Sequence, residues 1–147
     1  MALATLNLIG EKALQRKLAA LGRTGANKVL RKALRAGAKV IRTEAQANAP
    51  VLTGDLRANI RVRAMKRRKQ GVGVRVVVGD GWYQGGQFYG AFLEFGHKLG
   101  SRRLGDARAD VAPKPFMRPA FDQKKDAAIS EIETVLAKGI VEEAKRS

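Results

Sequence analysis

Few side chains in this sequence are suited to covalent chemistry. There is one histidine, His97, and three serines, Ser101, Ser130 and Ser147, with no cysteine. His97, Ser101 and Asp106 lie close in sequence and resemble the parts of an activated nucleophile. Their surroundings are basic and carry no glycine elbow of the kind that exposes a catalytic serine, so His97 reads as a surface or interface residue. One histidine without cysteine leaves no ligand cluster for a metal. The glycines of Gly79-Asp80-Gly81 and Gly85-Gly86 are followed by no Gly-Lys-Ser/Thr and lack dinucleotide-binding spacing, so they read as turn glycines. Glu94 sits among Phe92, Leu93 and Phe95. It is either a carboxylate with a raised pKa or, the favoured reading, one that pairs with an arginine or caps backbone amides. The expectation is a chain that is not an enzyme and holds no cofactor or metal.

Charge points towards binding instead. Lys and Arg number 29 against 13 Asp and Glu, a formal charge of +16, which predicts attraction to something acidic. The bases are dense at Arg61, Arg63, Lys66, Arg67, Arg68, Lys69 and Arg75. Such a patch suffices for phosphate contacts and carries no sequence readout. No aromatic residue is interleaved with it, as a stacking platform for single strands requires. Non-specific DNA binding is therefore an alternative function, and contact with an acidic protein competes with it.

These residues need elements to position them. A length of 147 residues, 45% hydrophobic, fits one globular domain spanning 1–147. Residues 1–10 carry no basic region ahead of their apolar run, so no signal peptide is expected, and no run approaches membrane-spanning length. Leu3 to Leu8 alternates as a short strand. Leu14, Leu18 and Leu21 stripe a helix over Glu11 to Leu21, stopped by Gly22, with Thr24 free to cap the next. That helix runs from about Gly25 to Ala47, with Val29, Leu30, Ala33, Gly37, Val40, Ile41 and Glu44 on one stripe. Its slim middle (Ala33, Ala36, Gly37, Ala38) invites another backbone, and Arg31, Lys32, Arg35, Lys39 and Arg42 form its wet face. Pro50 ends it. After a turn at Gly54, alternation predicts a strand over Leu56 to Lys66 and its partner over Gly71 to Gly79, joined by a basic hairpin tip at 66–70.

All eight aromatic residues fall between Trp82 and Phe121. Phe88, Tyr89, Phe92, Phe95, Phe116 and Phe121 are expected to lock the core beneath the sheet. Phe88 to Phe95 reads as a helical turn unwinding at Glu94 to Gly96. His97 to Ala112 reads as a long loop, and Pro113 to Phe116 as extended. Pro119 fits the first turn of a helix reaching about Lys145, striped by Phe121, Ala128, Ile129, Ile132, Leu136 and Ile140 and weakened by Gly139. The fold class is α+β: a curved antiparallel sheet packed by a long helix in the N-terminal half and a C-terminal helix.

Three motifs in order are familiar. Ala49-Pro50-x-x-Thr53-Gly54-x-Leu56-Arg57-x-x-Ile60 follows the long helix. Tyr89-x-x-x-Leu93-Glu94-Phe95-Gly96 comes next. Pro115-Phe116-Met117-Arg118-Pro119-Ala120 opens the last helix. From about Leu6 to Ala137 the chain resembles the tail-completion, or tail-terminator, neck proteins of long-tailed bacteriophages. It departs from them at His97, where that family usually has a threonine-like residue, and in its long loop. The resemblance implies a subunit of a ring, typically a hexamer, on the last turn of the tail tube. Such a ring stops tube growth, meets the head-completion or neck protein, lets DNA pass, and belongs to the virion after assembly in the bacterial cytoplasm. Trp82, Tyr83, His97, Arg102 and Arg103 would then reach a neighbouring subunit or the tube, and the basic hairpin would meet DNA or an acidic partner.

Overall fold

The computed structural model describes residues 11–50, 54–66, 71–79, 89–98 and 110–146. The strand expected at Leu3 to Leu8 lies outside them. The architecture is α+β, dominated by two long helices, α2 (Gly22–Asn48) and α5 (Met117–Ala144). A shorter α1, Glu11–Ala20, precedes them and lays Leu14 against their packed faces. The two long helices run antiparallel: Lys28 pairs with Glu143 and Lys32 with Glu142 at one end, and Lys124 with Glu44 at the other.

The slim middle of α2 does what its sequence suggests. A Cβ placed on Gly37 would stand 2.8 Å from the carbonyl oxygen of Ala128 and 2.5 Å from Ile132. At Gly139 it would stand 2.8 Å from Val29. Gly139 is thus a packing residue of α5, and the cost it carries in helix propensity is offset by close contact. Val29, Ala33 and Leu136 are buried here, flanked by Leu21, Leu30, Ile132, Val135 and Ile140. Small Ala120 and Ala128 turn inward, whereas Phe121, expected on the buried stripe, is 53% exposed. Close helix packing selects small side chains over bulky ones, and a seven-residue spacing cannot tell the two apart. Thr24 is not a cap: α2 starts at Gly22, two residues earlier, with Leu21 as N-cap.

A second core lies at the other end. Ala45, Ala49, Ile60, Phe116 and Ala120 are buried together, with Leu56, Val76, Val78, Leu93 and Met117 packed around them. Strands β1 (Ile60–Ala64) and β2 (Val74–Val78) pair antiparallel, Ile60 opposite Val78 and Ala64 opposite Val74. The expected strand is shorter than its alternation suggests, because Asp55–Asn59 forms a helical turn, α3. Gly54 (φ 80) redirects the chain, and the Ala58 N–H donates to its carbonyl at 3.1 Å. Four alternating residues fit a turn as well as a strand, and the turn is what brings Arg57 back to α2.

Helix α4 covers Tyr89–Phe95 and so persists through Glu94. The segment expected as a loop has paired ends: β3 (His97–Lys98) pairs with β4 (Asp110–Val111), His97 opposite Val111, and residues 99–109 lie outside the described residues. Phe116 is fully buried as expected, but Phe95 is 80% exposed and takes no part in the core.

Candidate functional site

Two clamps built from the three motifs hold the helix ends. In the first, the Pro50 motif closes the C-terminus of α2. The Arg57 guanidinium donates to the Ala49 and Ala47 carbonyls, each at 3.3 Å, satisfying acceptors that a helix end leaves without partners. Gln46 answers from within α2, donating to the carbonyls of Arg57 at 2.9 Å and Ile60 at 3.4 Å. Hairpin and helix are thereby fixed edge to end.

The second clamp centres on Glu94. One carboxylate oxygen accepts the backbone N–H groups of Phe116 (2.8 Å) and Met117 (2.9 Å), and the other accepts that of Arg118 (3.0 Å). A helix leaves its first four N–H groups without internal partners. In α5 three of these go to Glu94, and the fourth position is Pro119, which has no N–H. Burial pushes the Glu94 pKa up. The N–H bonds from Met117, Phe116 and Arg118 and the Arg118 charge outweigh it, so the pKa lies below its ordinary 4.5. A carboxylate committed in this way is a cap rather than an acid or base, the alternative favoured by its sequence setting. Gly96 completes the corner: at φ 70, a Cβ on it would lie 2.6 Å from the Val111 carbonyl oxygen. Lys114 N–H donates to Leu93 O at 2.7 Å beside it.

The hairpin sorts its charges by register. Ile60, Val62, Val76 and Val78 share the face that includes buried Ile60, and Arg61, Arg63, Arg75 and Val77 the other, with Arg63 directly opposite Arg75. Arg61 also donates to Asn59 at 3.3 Å. Lys66 is exposed at the start of the tip. Arg67, Arg68, Lys69, Trp82, Tyr83, Arg102 and Arg103 lie outside the described residues, as do Thr53, Phe88, Ser101 and Asp106. Among the described residues no group of three His, Cys, Asp or Glu side chains is placed to hold a metal ion.

One feature was not singled out as a site in the sequence. The wet face of α2 lines an open groove of about 830 Å³, with Lys28, Arg31, Lys32, Arg35 and Lys39 from α2 and Glu131 and Val135 from α5. Its signal is a helical row of bases, which by itself reads as a solvated face.

The family model described as "Bacteriophage HK97-gp10, putative tail-component" matches residues 12–96. The chain belongs to the HK97-gp10-like family. No curated protein and no solved structure matches it. Membership makes the chain a structural component of a phage tail, and so of the virion. The region matched to the HK97-gp10-like family runs from α1 to Gly96 and includes the Arg57 clamp and Glu94, but not the α5 amides that Glu94 receives. No described helix is long and apolar enough to cross a membrane.

Proposed function

We propose that this chain is the subunit of a ring, six-fold in its usual form, at the head-proximal end of the tail tube. The ring ends tube polymerisation and joins the tail to the head-completion or neck protein. The observation that carries the reading is the use made of the motif residues. Arg57, Glu94 and Gly96 all hold helix ends and corners together, so what the chain offers outward is rigid shape and charge. Within a family of tail components, a rigid basic block suits docking between other virion parts. Phe95 lies one residue beyond the Glu94 clamp, where a partner surface would cover it. Trp82, Tyr83, His97, Arg102 and Arg103 are assigned to subunit or tube contacts.

Negative-stain images of particles made without the protein test this. Overlong tails, or heads and tails left separate, are the expected result. Tails of normal length joined to heads overturn it. The arginine face Arg61–Arg63–Arg75 supports a second reading, non-specific DNA binding. A monomer that shifts plasmid DNA at moderate salt, combined with normal particles in the protein's absence, favours that reading.

A further inference from the structure

The arginines Arg31, Arg35 and Arg42 of α2 stand at positions i, i+4 and i+11. At 3.6 residues per turn they fall within about 40° of one another and span about 16 Å. Asp122, Asp126 and Glu133 of α5 stand at the same spacing, i, i+4 and i+11, and are exposed. Among the described residues none of the six makes an ion pair. Arg42 even has its Nε buried with no hydrogen-bond partner.

The two rows cannot meet within one copy. Arg31 and Arg35 line the groove together with Glu131 and Val135 of α5. Glu133 lies two residues, or about 200°, further round α5 from Glu131, so the acidic row turns away from the groove. A basic row on one flank and an acidic row on the opposite flank form a heterologous pair of patches, the kind that closes rings.

We propose that the α2 groove of one copy receives the acidic outer face of α5 from the next. The two helices run parallel, Arg31 and Arg35 of the groove facing Asp122 and Asp126, and Arg42, beyond the groove lining on the same helix face, facing Glu133. Only the parallel register matches all three pairs, since reversal turns the spacing 0, 4, 11 into 0, 7, 11. Ser130 and Ala137, small residues on the same face of α5, let it seat closely. This inference rests on the ring reading and names its interface. Phosphates would also satisfy the arginines, but they would leave the acidic row without a role.

Charge exchange tests it, with circular dichroism confirming that each variant folds. Variant one carries Arg31→Glu, Arg35→Glu and Arg42→Glu, and variant two carries Asp122→Arg, Asp126→Arg and Glu133→Arg. Mass photometry, with and without purified tail tubes, is expected to show wild-type rings and loss of rings in each variant alone. Rings should return both in the equimolar mixture and in the chain carrying all six changes. A second measurement exploits the absence of cysteine. Arg35→Cys and Asp126→Cys chains, mixed under oxidation, should give the mixed disulfide and neither homodimer. Rings indifferent to the swaps, or homodimers dominating the cross-link, overturn the interface and leave the ring reading standing. A wild-type chain that forms no ring even on tubes overturns both.

Discussion

At the scale of single residues, Glu94 does the most. Its two oxygens take three N–H groups of the α5 start, so a substitution there frees donors as well as removing a charge. Glu94→Ala is expected to lower unfolding free energy by about 2 kcal/mol, in the range for a lost cap with charged hydrogen bonds, as read by urea denaturation. Glu94→Gln should fall between the two, because an amide keeps one acceptor oxygen. The pH dependence follows from the lowered pKa. The folded state binds the carboxylate's proton less readily than the unfolded chain does. The stabilisation is therefore complete above the ordinary 4.5 and is lost as pH falls through the lower native value. Wild type should lose stability below that pH more steeply than Glu94→Gln, and parallel acid-unfolding curves would refute the assignment. The sequence already suggested an arginine pair or capping of backbone amides, from a lone carboxylate among apolar neighbours. It did not show which amides were capped, because the partners lie more than twenty residues away.

At the scale of elements, the α2–α5 contact makes two glycines unequal. An alanine at either position gains about 1 kcal/mol of helix propensity. At Gly139 the new methyl would stand 2.8 Å from one methyl of buried, β-branched Val29, a side-chain rather than backbone contact, so Gly139→Ala should cost less than Gly37→Ala. At Gly37 it meets the Ala128 backbone oxygen at 2.8 Å, and a helix must move. Gly37→Ala should cost about 1–3 kcal/mol net and lower the thermal midpoint. Equal midpoints for the two variants would show that the helices are not held as closely as described. The same contact explains what was legible in the sequence. Long periodic stretches such as α2 and α5 declared themselves, and valine alternation fixed the β1–β2 hairpin. Phe121 misled because bulk suggests burial where a tight helix pair admits alanine, and Phe95 misled because it ends α4 outside that pair, 80% exposed. Leu56 to Asn59 misled because its strand-like alternation is too short to exclude a turn that Gly54 and Arg57 enforce. The arginine row of α2 could be read in the sequence, but without the fold it had no groove and no opposite flank.

At the scale of the whole molecule, a charge of +16 bears on the proposed ring, since identical basic copies would repel one another. Part of the charge is met internally, by the lysine–glutamate pairs that bind α2 to α5. The sheet face with Arg61, Arg63 and Arg75 is a second basic surface, with Arg63 directly opposite Arg75 in the register. An acidic tube or neck protein would hold that surface permanently, whereas DNA would meet it only in transit, and a channel that grips DNA would impede its passage. Reversing the adjoining tip, Arg67→Glu with Arg68→Glu, should abolish tail joining in either case. The two partners separate by salt. If DNA is the partner, the isolated wild-type ring should retain it at low salt and release it steeply as salt rises, and the reversed ring should not retain it. If the partner is an acidic protein, purified tails or necks should bind the wild-type ring and not the reversed one, with DNA retention negligible throughout. Tail joining that survives the reversal would remove the hairpin from both roles.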